Sequence, residues 1–282
     1  MPSGERRENA HFAVSERSRW LPLGIQPVIV VAIALAALRI IDPGGGEPQE
    51  GNAPVLQSLG EARSRSDKDI AFMIDYLENG NDRERTSAAW ALGESGRQDV
   101  VPQLLQAARR DGDLNVRINA IASLGKLGGE GVEPALVEFL SEDDEELQTA
   151  ALRGLASVAY AGALDSVGRL LESPSARLRA NATDALGAMR DPAAVPLLTG
   201  VAEDPEQDVR TRVAYALGKL RDASAVPALI ALCEDSTWEV RANAVQALGM
   251  IADPQGKDAV ERLLDDPNSQ VRSVAEAALA KF

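Results

Sequence analysis

Histidine and cysteine are nearly missing from this chain: His11 and Cys233 are single copies in 282 residues. One cysteine excludes an intrachain disulfide framework, and one of each excludes a Cys/His metal cluster. Aromatic residues are also scarce, at 4%, below what sandwich and barrel cores use. The hydrophobic 45% is therefore mostly Ala, Leu and Val, a mixture that favours helices over strands. Basic side chains are outnumbered 29 to 43, giving a net charge of −14 that argues against a nucleic-acid backbone as partner. No metal and no cofactor is expected from this inventory.

Long apolar runs are absent, with one exception. Leu21 to Ile41 holds twelve Leu, Ile or Val and four Ala against Gln26 and Arg39. At roughly −0.3 to −0.6 kcal/mol per large aliphatic, insertion into a bilayer gains about 5 kcal/mol. Arg39 costs at most about 3 kcal/mol, less near the end, where it snorkels. Arg6, Arg7, Arg17 and Arg19 precede the segment, and no Lys or Arg lies between Asp42 and Ala62. The positive-inside rule then predicts a cytoplasmic N-terminus (1–20), a single-pass signal anchor (21–41) in the cytoplasmic membrane, and an extracytoplasmic remainder. Two other readings stand beside it. Ala34-Leu35-Ala36 resembles a signal-peptidase site, although cutting before Ala37 leaves only Val28 to Ile33 as an unbroken apolar core. A cytosolic chain whose apolar N-terminal helix packs on a partner is the third. The Gly- and Pro-rich stretch within 42–54 reads as a flexible linker.

From about residue 82 the chain repeats itself. Arg85, Arg117, Arg179, Arg210, Arg241 and Arg272 share one register, with Gln148 in the remaining slot, at a spacing of 32 once and then 31 five times. Seven residues after each stands a Leu, from Leu92 to Leu279, followed always by Gly or Ala. Pro102, Pro134, Pro196 and Pro227 form another column, with Asp165 and Asp258 in the same slot. Each unit reads as two short helices. Val240, Ala244, Ala247, Leu248 and Ile251 make one apolar face, and Val226, Leu229, Ile230, Leu232 and Cys233 make the other. Helices this short are marginal alone, so stability must be shared between stacked neighbours. Gly inside a helix costs about 1 kcal/mol relative to Ala. Its recurrence predicts a packed neighbour that leaves no room for a side chain.

Apolar residues at −1, +3, +4 and +7 fall within about 100 degrees of the register Arg, which places that Arg on the buried face. A buried guanidinium needs a partner. Asp111, Glu142, Asp204, Asp235 and Asp266 stand in the turn six residues before a register position. They predict a structural ladder in which turn carboxylates accept bonds from Arg117, Arg179, Arg210, Arg241, Arg272 and their equivalents, fixing repeat to repeat.

These columns resemble the HEAT repeat, specifically the short HEAT-like repeat first associated with phycobilisome lyases. The matching features are the helix Pro, the turn Asp, the Val-Arg that follows, and Ala-x-x-Ala-Leu-Gly, best seen in Asp204–Gly218 and Asp235–Gly249. The resemblance implies an all-α superhelix, an armadillo-type solenoid whose second helices line a concave surface, here preceded by one transmembrane helix. Residues 55–81 read as an N-terminal capping unit and 82–282 as six full units plus a terminal half. The third unit departs most, with Gln148 for Arg and Asp165 for Pro, so an irregularity is expected there.

Chemistry has few places to stand. Deoxyhypusine hydroxylases of this fold use His-Glu pairs on their repeats, and this chain has none. Cys233 shares a column with Leu140, Leu171, Ala202 and Leu264 and reads as a buried hydrophobe. The run Glu142–Glu146 lacks the ligand alternation of a calcium loop and reads as a solvated helix start. A surface remains. On the Val-Arg helices, positions −2, +2, +5 and +9 point away from the core and form a candidate protein-binding strip. It includes Trp90, Asn119, Arg153, Asn181, Arg212, Tyr215, Asn243 and Gln246, with Trp90 and Tyr215 the favoured anchors. The recurrence of Asn at Asn119, Asn181 and Asn243 is also what repeat duplication alone would leave. The expectation is a non-enzymatic, membrane-anchored scaffold that binds a protein or peptide. The alternatives are a bilin lyase-like enzyme subunit, resting on fold analogy, and a cytosolic adaptor.

Overall fold

The computed structural model describes residues 66–282. The expected membrane segment 21–41, its flanks 1–20 and 42–54, and the first part of the capping unit, 55–65, lie outside the described residues. No helix among the described residues is long and apolar enough to cross a membrane.

Helices joined by short turns make up the described residues, with no strand among them. In chain order, α1 (Asp67–Asn79) pairs with α2 (Asp82–Glu94), α3 (Val101–Arg110) with α4 (Leu114–Leu127), and α5 (Val132–Phe139) with α6 (Glu145–Val158). Next, α7 (Leu164–Arg169) pairs with α8 (Ala176–Met189), and α9 (Ala194–Thr199) with α10 (Gln207–Leu220). The last pairs are α11 (Val226–Leu232) with α12 (Trp238–Ile251) and α13 (Lys257–Arg262) with α14 (Ser269–Leu279). The region read as a cap supplies α1, which packs on α2 as every other odd helix packs on its even partner. By contact the array is therefore a row of helix pairs cut before each odd helix.

Local chemistry sets the boundaries. Asn81 caps α2 in a capping box with Glu84, and Asp113, Asp144, Ser175 and Asn268 cap α4, α6, α8 and α14. Pro102 and Pro227 stand in the first turns of α3 and α11, where no backbone donor is needed. Four even helices end in a left-handed residue at one register position, Ala159 (φ 50°), Arg190 (55°), Arg221 (53°) and Ala252 (55°), and α4 has Gly128 at φ 60° in the same slot.

Burial follows the columns. Leu92, Leu124, Leu155, Leu186, Leu217 and Leu248 are buried against Leu104, Leu136, Val167, Leu198, Leu229 and Val260 of the odd helices, in one continuous apolar seam. Consecutive even helices pack on one another along their length, whereas consecutive odd helices barely touch. The Gly column makes the close approach possible. A Cβ on Gly187, Gly218 or Gly249 would stand 2.7, 2.7 or 2.8 Å from the Cβ of Ala216, Ala247 or Ala278 on the next even helix. Gly93 and Gly125 meet Ser123 and Gly154 in the same way. At the far end of the row, Glu276 is exposed in the slot where Ala214 and Val245 are buried.

Candidate functional site

The register arginines project from the even helices toward the next turn in the chain. Arg179 Nε and Nη2 donate to the two oxygens of Asp204 at 2.7 and 2.9 Å. Arg210 holds Asp235 at 2.7 and 3.1 Å, and Arg241 holds Asp266 at 2.7 and 2.8 Å. Arg85 holds Asp111 at 2.8 Å through both nitrogens. Arg117 reaches Glu142 by one bond of 3.0 Å and otherwise donates to the Ala108 carbonyl. Asp204, Asp235 and Asp266 each join three segments. Asp235 Oδ1 also accepts from the Thr237 N–H, and its carbonyl accepts from Nη1 of Arg241. Asp204 does the same with the Glu206 N–H and Arg210, and Asp266 with the Asn268 N–H and Arg272. The rung thus couples two even helices and the turn between them. Arg272 keeps its bonds to the Asp266 and Pro267 carbonyls, at the end of the row.

The carboxylates are held charged. The Arg85 guanidinium keeps Asp111 below the usual carboxylate range, and Arg241 does so for Asp266. Burial pushes Asp204 and Asp235 up, but the bonds from Arg179 and Arg210 and from the turn N–H groups outweigh it, so both end lowered.

The acidic run resolves into separate duties. Glu142 pairs with Arg117, Asp144 caps α6 through the N–H groups of Glu146 and Leu147, and Glu145 and Glu146 pair with Arg177. Cys233 is buried, and burial pushes its thiol up to about 12. No group of acidic, His or Cys side chains suited to a metal ion occurs among the described residues.

The opposite face of the even helices carries the strip. Five residues after each register position the side chain is exposed in every unit: Trp90, Ala122, Arg153, Asp184, Tyr215, Gln246 and Ala277. Three large apolar side chains are exposed among the described residues, and two of them, Trp90 (40%) and Tyr215 (45%), fall in this column. The neighbouring Asn column is half-buried, and Asn119 and Asn243 turn their amide N–H back to the carbonyls of Asn115 and Glu239 at 2.8 and 2.9 Å. Asn181 lies between them on α8. Arg212 is engaged by two carboxylates, Asp184 on α8 and Asp208 at 3.0 Å on its own helix. Lys219 sits 5.5 Å over the Tyr215 ring. Arg153 borders an open cleft of about 680 Å³ whose lining includes Lys126, Leu127, Glu133 and Val158.

Sequence reasoning missed these restraints. The Tyr215–Lys219 stacking had a signal, since the two are four apart on one helix. The Asp184–Arg212 tie had a weaker one, because it joins slots of adjacent units. The cleft had none.

The family model for HEAT repeats matches residues 70–156, 133–218 and 200–280. The chain belongs to the HEAT-repeat family. Among solved structures this HEAT-repeat chain is similar to the complex of CpcE and CpcF of phycocyanin lyase from Nostoc sp. PCC7120. That likeness is at 22% identity over 76% of this chain and 94% of that one, with a TM-score of 0.51. It is also similar to YibA of Escherichia coli, at 18% identity over 84% of this chain and 99% of that one, with a TM-score of 0.52. A designed armadillo repeat protein in complex with the peptide (KR)4 shares 23% identity over 76% of this chain and 99% of that one, at a TM-score of 0.47. No curated protein matches the chain.

Proposed function

We propose that this HEAT-repeat protein is a non-catalytic scaffold, tethered by residues 21–41 to the cytoplasmic membrane with its repeats on the extracytoplasmic side, that docks a protein or peptide along the even-helix face. The observation that carries the reading is the unbroken exposed column of the even helices, with both Trp90 and Tyr215 in it. Aromatic side chains are the commonest energetic anchors of interfaces. The closer packing of the even row supports its being the inner, concave side, because a stack bends toward its shorter row. Asp111, Asp204, Asp235 and Asp266 are accounted for by rungs between helices, which supports a structural rather than a catalytic role for them. The likeness to a lyase complex is one of fold alone.

The test is affinity capture with the full chain and its Trp90→Ala/Tyr215→Ala variant. The variant is expected to keep the wild-type unfolding midpoint and to lose at least about tenfold in affinity for the captured partner. Unchanged affinity in the folded variant removes the proposed face. Protease accessibility of intact and opened cells tests the tether separately: repeats digested only after opening place them inside.

A further inference from the structure

The devices that tie one repeat to the next fail together at one place, between α6 and the pair α7–α8. The rung is missing at both ends: Gln148 stands in the Arg slot and Ser173 in the Asp slot. Gln148 donates to the Leu140 carbonyl within its own unit, and Ser173 Oγ accepts from the Ser175 N–H within its own turn. The close-approach column changes in the same unit. Ala156 replaces Gly and is half-exposed, whereas Gly93, Gly125, Gly187, Gly218 and Gly249 are all buried. Beside Gln148, Thr149 is buried with no hydrogen-bond partner for its hydroxyl.

In place of the rung, beside the apolar packing of α6 on α8, the junction is spanned by a set of surface bonds. Ser175 Oγ donates to Glu145 at 3.0 Å, and Arg177 pairs with Glu145 and Glu146 at 2.5 and 2.8 Å. The Arg177 side chain is 49% exposed, against 12 to 14% for the rung arginines Arg179, Arg210 and Arg241. Exposed pairs contribute little and are screened by salt.

We infer that the α6–α8 junction is a built-in hinge, dividing the array into an N-terminal block (α1–α6) and a C-terminal block (α7–α14) that open separately. In a one-dimensional stack, cooperativity is carried by nearest-neighbour interfaces, so the weakest interface sets the boundary between cooperative units. The hinge falls between Trp90 and Tyr215, so it also governs the spacing of the two exposed aromatics, but it does not depend on the docking reading.

Native-state hydrogen exchange on the full chain tests it. Wild-type amides are expected in two protection classes, with a step of about tenfold or more between α6 and α8 that grows with added salt. Gln148→Arg/Ser173→Asp, which supplies the missing rung, is expected to abolish the step, and Arg210→Gln/Asp235→Ser to create a second one between α10 and α12. A single protection class in the wild type overturns the proposal, and this measurement needs no variant to fold. A step that persists in the folded double variant overturns its assignment to the absent rung.

Discussion

Arg241 and Asp266 stand 25 residues apart in the chain, yet both guanidinium edge nitrogens meet both carboxylate oxygens, at 2.7 and 2.8 Å. The same aspartate's carbonyl accepts from Arg272 of the following helix. A bidentate pair fixes direction as well as distance. Repeated at Arg85, Arg179 and Arg210, it sets the register of each helix pair against the next. Its worth lies as much in specifying the stacking as in raw stability, since two charges taken out of water recover only part of their hydration.

The rungs make the fold acid-sensitive. Asp111, Asp204, Asp235 and Asp266 all have folded-state values below the usual carboxylate value of about 3.9. The unfolded chain binds protons first as pH falls, so the rungs contribute fully above about pH 5 and are lost as pH drops through the lowered values. Thermal midpoints measured between pH 7 and 2 are expected to hold steady to about pH 5 and then fall. A fall centred near neutrality would mean that other groups dominate.

Helix spacing and helix ends respond oppositely to glycine. Gly218→Ala forces a Cβ to 2.7 Å from that of Ala247, so despite the better helix propensity it is expected to lose about 1–3 kcal/mol. Ala252→Gly, at φ 55°, relieves a left-handed backbone and is expected to gain about 0.5–1 kcal/mol. Urea unfolding of the two variants checks both signs.

Much of this was legible in the sequence, because a 31-residue repeat writes the same physical demand seven times. Arg85, Arg179, Arg210 and Arg241 could be matched with turn carboxylates, and the Gly column with a crowded neighbour, before any coordinates. The direction of each rung was not, since sequence spacing alone does not say whether a turn Asp serves the helix before it or the one after. Nor was the inward turning of Asn119 and Asn243, because a side chain that bonds its own helix and one that faces a ligand occupy the same slot. Asp208, four residues before Arg212, was a readable partner, whereas its other partner Asp184 lies on the neighbouring helix, 28 residues earlier. The expected membrane segment 21–41 lies outside the described residues.

Cys233 offers a clean readout of opening. Its side chain is buried at the C-terminal end of α11, and burial pushes the thiol up to about 12. Labelling by a thiol-disulfide reagent at pH 8 is therefore expected to be slow in the native protein and to accelerate by orders of magnitude across the urea transition. Rapid labelling of the native protein would show that the C-terminal units are not closed as described.

The most direct test of repeat-to-repeat coupling is a double-mutant cycle on Arg210→Gln and Asp235→Ser, the pair of residues that nature places at 148 and 173. Each single change leaves one partner unmatched, and the double change removes both. Urea unfolding is expected to give a coupling energy of about 1–3 kcal/mol, with the double variant more stable than the two single losses would sum to. A coupling energy indistinguishable from zero would contradict the account, for it would mean that the rungs do not hold one repeat to the next.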